Sequence, residues 1–247
     1  MQKIKKTLFF VIYTLIFTSC VSKKKIVYFQ NDKTPTQEVK AYETVFKPGD
    51  ILNISISSLD PVASKPFNLI QGSSETAKPV DYLIDNNGNI EFPLLGQIKL
   101  GGLTRSEALK YFKEKLDPDY IKNPTVNIRI SNFTITVLGD VKSPGNYIIP
   151  NEKVTIIEAI GFAGDLNISG IRNIEVKREV DNKITTYSLD LKSDKIFSSP
   201  AYYLQQNDIV YIEPNKAKSQ GASYNQNTGL FISVGSILIS LITILTR

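Results

Sequence analysis

Apolar positions along this chain recur with two periods, and the changes between them lay out its elements. From Ile51 to Ser57, Leu52, Ile54 and Ile56 alternate with Asn53, Ser55 and Ser57, a period of two that predicts a half-buried strand. Lys47-Pro48-Gly49-Asp50 predicts the turn that launches it: Pro presets φ, Gly accepts positive φ, and Asp bonds back to the local backbone. Asp60 to about Lys78 has no sustained period and is rich in Pro, Ser and Gly, which predicts a long surface loop. Asn86-Asn87-Gly88-Asn89 predicts a hairpin turn between Tyr82-Leu83-Ile84 and Ile90-Glu91-Phe92, and Gly96 and Gly101-Gly102 punctuate two further short strands. The period then becomes helical. Thr104-Arg105-Ser106-Glu107 has the capping-box pattern, and Ala108, Leu109, Phe112 and Leu116 form one face of a helix that stops before Pro118. Pro124 precedes a strand over Thr125 to Ile130.

The second half repeats this grammar. Phe133, Ile135 and Val137 alternate with Thr134 and Thr136, and Lys142-Ser143-Pro144-Gly145 is a type II turn signal before Tyr147-Ile148-Ile149. Thr155-Ile156-Ile157-Glu158 is a second capping box, opening a short helix through Ala163 that Gly164 terminates. Strands are expected over Asn173–Arg178, Thr185–Asp190 and Ile209–Glu213. Strand, turn, strand, one helix and further strands is a β-grasp plan. Tyr202-Tyr203 suits stacking on sugar rings and equally suits a strand-face core.

Asn215 to Thr228 is polar and reads as a linker, with Asn227 or Thr228 available to cap a helix after it. Gly229 to Arg247 is apolar and uncharged until its last residue, and as a helix it extends roughly 27 Å, which predicts a transmembrane helix. On a helical wheel Gly229, Ser233, Ser236, Ser240, Thr243 and Arg247 gather within an arc of about 80°. The expected fold class is therefore α+β: two small α/β modules, residues 41–130 and 131–214, a linker over 215–228 and a transmembrane helix over 229–247.

At the other end, MQKIKK is a cationic n-region and TLFFVIYTLIF an apolar h-region of secretory-signal length. Phe17-Thr18-Ser19 ahead of Cys20 resembles a bacterial lipobox, with Phe17 where Leu is commonest. Residues 1–19 are thus expected as a lipoprotein signal peptide, Cys20 as the lipidated first residue, and 20–40 as a polar tether.

Composition narrows the chemistry. The 247 residues include no His, no Trp and one Cys, which excludes zinc sites, Cys/His nucleophiles and Ser-His-Asp triads. No metal site, cofactor or catalysis is expected. Without Lys3, Lys5 and Lys6 of the signal segment, 26 basic residues face 24 acidic ones, so no nucleic-acid partner is expected either.

The succession KPGD-I-L-x-I, D-x-x-G-x-I-x-x-P-L-L-G, G-L-T-x-x-E-A and N-P-x-V-x-I resembles the export domain of the outer-membrane polysaccharide export family, the Wza-like proteins. V-x-G-x-V-x-x-P-G-x-Y and TIIEAIGFAG are similar to the soluble-ligand-binding β-grasp module (SLBB) that accompanies it, here present once where longer members carry two. The resemblance implies a periplasmic lipoprotein of the outer membrane that forms a homo-oligomeric ring. It would export capsular polysaccharide or exopolysaccharide through an α-helical barrel, with an inner-membrane co-polymerase or tyrosine kinase as partner. Ser233, Ser236, Ser240 and Thr243 are then the candidate pore-lining residues, or small packing contacts in a dry bundle. The alternative is a cell-envelope lipoprotein that captures a soluble sugar or peptidoglycan fragment through its β-grasp unit.

Overall fold

A three-stranded and a five-stranded sheet, with three two-stranded ladders beside them, hold the strands in the computed structural model, which describes residues 24, 26–30, 42–73, 76–180, 183–222 and 228–245. The first unit runs β1 (Ile51–Ser57), α1 (Pro61–Ser64), β2 (Ile70–Gln71), β3 (Lys78–Pro79), β4 (Asp81–Leu83), β5 (Asn89–Phe92), β6 (Gly96–Lys99), α2 (Arg105–Leu116) and β7 (Thr125–Ile130). β1 lies between β4 and β7, antiparallel to both, with Leu52 opposite Tyr82 and Ile54 opposite Ile128. The period of two sends Leu52, Ile54, Ile56, Val126, Ile128 and Ile130 inward, where they share a core with Ala108, Phe112 and Leu116 of α2. Each fully buried aliphatic or Phe side chain there contributes about 1.5–3 kcal/mol. Both bonds of the Thr104–Glu107 capping box form.

The stretch expected as a long surface loop is mostly exposed and is pinned to this core at a few points. Asp60 accepts from Val62 N to cap α1, and the 3-10 turn Lys65–Phe67 carries Phe67 into the interior. Asn68 then acts as a side-chain strand partner for β1: Ile56 N donates to its Oδ1 at 2.9 Å, and its Nδ2 donates to Ile56 O at 2.7 Å. These elements are too short to show a period, and only the lone Phe among prolines marks the anchor.

The second unit runs β8 (Thr134–Gly139), β9 (Gly145–Ile148), β10 (Val154–Thr155), α3 (Ile156–Phe162), β11 (Asn173–Val180), β12 (Lys183–Asp190), β13 (Tyr203–Leu204) and β14 (Ile209–Ile212). Its five-stranded sheet has the order β12-β11-β14-β8-β9, with β14 parallel to β8 and the other pairs antiparallel. First and last strands thus lie side by side at the centre with a hairpin on each flank, the arrangement of a β-grasp. The close approach of β8 and β14 requires Gly139, which has φ +95° and where a Cβ would fall 1.9 Å from Ile212 O.

The sheet has two functional ends. At the amino end of β8 it meets the first unit: Ile51 N donates to Asn132 Oδ1 at 2.8 Å, and Ile130 N donates to Glu152 Oε1 at 2.6 Å. At the opposite end, residues 26–30 dock on the unit, and the chain leaves β14 into α4 (Lys216–Ala222). The stretch expected as a linker therefore opens with a helix, begun where Asn215 Oδ1 accepts from Lys218 N at 3.0 Å.

The expectation of a carboxy-terminal transmembrane helix is corrected. The segment does form a helix, α5 (Thr228–Leu245), but among the described residues no helix is long and apolar enough to cross a membrane. Gly229, Ser233, Gly235, Ser236, Ser240 and Thr243 interrupt its apolar run. The architecture is mixed α/β without a membrane span among the described residues. The signal peptide, Cys20, most of the tether, the Asn227 cap and Arg247 lie outside the described residues.

Candidate functional site at the junction of the two units

The Lys47–Asp50 turn is held from within. Lys47 N donates to Asp50 Oδ2 at 2.8 Å, Asp50 N donates to Lys47 O at 3.1 Å, and Gly49 takes φ +89°. This buries Asp50, and desolvation pushes its pKa up to about 6 against the opposing pull of the Lys47 backbone and ammonium. The ammonium reaches across to the second unit, donating to Gln205 Oε1 at 2.9 Å.

Facing this turn, β11 and β14 each place a charge where the alternation points inward. Ile174, Val176 and Arg178 are buried along β11, and Val210 and Ile212 along β14 with Asp208 just ahead of it. The antiparallel register, Lys177 opposite Ile209, brings Arg178 and Asp208 together one step further on. Their contact is bidentate, Nη2 to Oδ2 at 2.7 Å and Nε to Oδ1 at 2.9 Å. Arg178 also donates to Tyr203 O and Pro200 O, and Asp208 accepts from Gln205 N at 2.8 Å, so the buried pair is closed by hydrogen bonds on both sides. The guanidinium lies 5.4 Å from the Tyr187 ring centroid, the diagonal cross-strand position.

Between turn and strands opens a cleft of about 650 Å³ lined by Val45, Lys47, Asp50, Tyr187, Gln205 and Asn207, among others. An aromatic face, an ammonium and side-chain amides suit a hydroxyl-rich ligand. Tyr42, Tyr202 and Tyr203 form the adjoining wall. Tyr203 packs 5.0 Å from both Tyr42 and Tyr202, with Lys153 Nζ 4.9 Å from its ring centroid. Tyr202-Tyr203 are therefore half-buried packing residues between the units rather than a free stacking platform. Sequence reasoning missed Arg178 and Asp208; the signal was a charge at the inward parity of each strand.

The candidate pore-lining residues lie elsewhere, along α5. Ser233, Ser236, Ser240 and Thr243 are exposed, and their hydroxyls donate to carbonyls one turn back: Gly229 O, Ser233 O, Ser236 O and Ile239 O, at 2.7–2.9 Å. Among the described residues no cluster of His, Cys, Asp and Glu could hold a metal ion.

Comparison with known proteins bears on the first unit above all. Residues 38–131 match the family described as polysaccharide biosynthesis/export protein. The chain is 28% identical over 138 residues to the EPS I polysaccharide export outer membrane protein EpsA of Ralstonia solanacearum, 55% of this chain and 36% of that protein. It is 27% identical over 135 residues to the protein of the same name in Ralstonia nicotianae, 53% of this chain and 35% of the relative. The chain thus matches only about a third of the length of these relatives.

Proposed function

We propose, from the premise that this chain is a member of the polysaccharide biosynthesis/export family through residues 38–131, that it exports a capsular polysaccharide or exopolysaccharide at the outer membrane. The observation that carries this reading is the coincidence of the matched residues with the whole first unit, from Tyr42 to β7. The family is a component of transport and not of catalysis, so the chain's work is assembly and passage.

In this reading Cys20 carries the acyl anchor and the two units lie in the periplasm. Several copies form a ring, served by an inner-membrane co-polymerase or tyrosine kinase. The α5 helices gather into a helical barrel and bury Phe231, Ile232, Ile239 and Ile244 against neighbouring copies, each of which is more than two-thirds exposed in the single chain. Ser233, Ser236, Ser240 and Thr243 turn toward the passage. Attachment to the membrane rests on the lipid. A clean deletion is expected to abolish surface polysaccharide while its lipid-linked precursor persists; a normal capsule in the deletion strain overturns the export reading.

The cleft between the units favours a second reading, an envelope lipoprotein that binds a soluble sugar or peptidoglycan fragment there. The size of the detergent-extracted protein separates the two: a stable large ring for the exporter, a monomer or dimer for the binder.

A further inference from the structure

Both places where the chain joins the body converge on one loop of the second unit, residues 165–172. On the incoming side, Phe29 N and Gln30 N donate to Leu191 O and Lys192 O at 3.0 and 2.7 Å, extending the end of β12. Tyr28 Oη donates to Asp165 Oδ1 at 2.6 Å, and Arg172 Nε donates to Ile26 O at 3.1 Å. Arg172 Nη1 holds the loop itself, donating to the carbonyls of Asn167, Ile168 and Gly170. On the outgoing side, Ile171 N donates to Glu213 O and Asn215 N to Ser169 O, both at 2.8 Å. Lys218 of α4 pairs with buried Asp140, which also accepts from Asn167 Nδ2 at 2.8 Å.

This loop lies at the end of the sheet remote from the first unit. The first unit contacts the amino ends of β8 and β14, whereas the loop contacts Asp140, just past β8, and Ile212 at the end of β14. The eight residues of β11 set the depth of the sheet at about 26 Å. Ile26 lies six residue steps beyond Cys20, a reach of at most about 22 Å. An acyl anchor on Cys20 therefore keeps this end of the sheet within about 22 Å of the lipid surface. At the tip of the loop, in the turn closed by Gly170 N donating to Asn167 O, Ile168 is 79% exposed, packed against no other described residue that would cover it.

We propose that the Asn167–Gly170 turn is a lipid-contacting tip, with Ile168 entering the headgroup–acyl boundary of the membrane that carries the anchor. The proposal rests on the reading of Cys20 as a lipidation site. The strap of residues 26–30, held by Tyr28 on Asp165 and by Arg172, ties the tether to this end of the sheet.

The test uses the full lipid-anchored chain in vesicles of phosphatidylethanolamine and phosphatidylglycerol. A polarity-sensitive dye is placed on Ile168→Cys or, in the first unit, on Leu94→Cys, which is also well exposed. A nitroxide carried near the lipid headgroups should quench the dye at position 168 at least about threefold more than at position 94. Vesicle-bound protein with equal quenching at the two positions overturns the tip contact and leaves the anchor standing. A parent chain that takes the dye at Cys20 and fails to float with vesicles overturns the anchor reading, and the tip contact with it.

Discussion

Two sets of polar side chains sit among apolar neighbours in this molecule, and they find their partners in opposite ways. Arg178 and Asp208 are satisfied by distant residues: each other, two carbonyls of the 200–203 stretch and the Gln205 amide. The hydroxyls of α5 are satisfied by the helix that carries them. The first arrangement exists only when β11, β14 and β13 are correctly placed, so it specifies the fold around the cleft. The second is complete in an isolated helix. It specifies nothing about what α5 faces, and a stripe of such hydroxyls is compatible with water, a neighbouring helix or a glycan.

The largest effect should come from breaking the distant set. Arg178→Ala leaves the Asp208 carboxylate buried without its cation and should cost about 3–5 kcal/mol. Replacing both members, Arg178→Met with Asp208→Leu, should recover most of that loss, because the penalty belongs to the unpaired charge. Urea unfolding followed by tyrosine fluorescence reads both, since the chain has 12 Tyr and no Trp. A single variant as stable as the parent would mean that the pair does not organise the unit.

Asp50 sharpens the contrast from the other side of the cleft, as a buried carboxylate with only partial compensation. Its folded pKa of about 6 lies above the ordinary aspartate value of 3.8, so the folded protein holds the proton more tightly than the unfolded chain. The associated stability is fully present below about pH 4 and is lost as pH rises through about 6. Asp50→Asn should therefore match the parent near pH 4 and exceed it above pH 7, by on the order of 2 kcal/mol. Parallel urea curves from pH 4 to 8 check this. A variant weaker than the parent at pH 7.5 would show that the ionised carboxylate is favourable where it sits.

Legibility in the sequence obeys the same division. Features that complete themselves locally were legible: the alternation of Leu52, Ile54 and Ile56, the parallel case of Phe133, Ile135 and Val137, and the two capping boxes at Thr104 and Thr155, each of which forms both its bonds. Features completed by distant partners were not. The Arg178–Asp208 pair depends on the β11–β14 register, which strand periodicity does not supply. The docking of Tyr28 and Phe29 depends on Asp165, Arg172 and Leu191, far along the chain, in a stretch whose polar composition suggests only a tether. The transmembrane expectation failed for a related reason. The apolar content of Gly229–Arg247 predicts a span, but the described helix, Thr228–Leu245, interleaves glycines and hydroxyls with its apolar residues. The cleft, lastly, is made by two units meeting, and neither stretch alone encodes it.

The smallest effect is expected where the partners are local. Ser236→Ala and Ser240→Ala remove bonds to carbonyls already engaged in the helix, so each should change stability by no more than about 0.5 kcal/mol. Because the stripe is silent in stability, its surroundings have to be read by access. In the assembled protein, Ser233→Cys, Ser236→Cys and Ser240→Cys should react with a small hydrophilic thiol reagent about tenfold faster than Leu238→Cys and Leu241→Cys if that arc faces an aqueous passage, since thiol reactivity follows exposure and thiolate fraction. Unfolded or unassembled chains should show no such difference, because the hydroxyl and apolar faces of a lone α5 are equally open. Uniform reactivity along the assembled helix would remove the arc from the passage and leave its hydroxyls as helix-internal bonds alone.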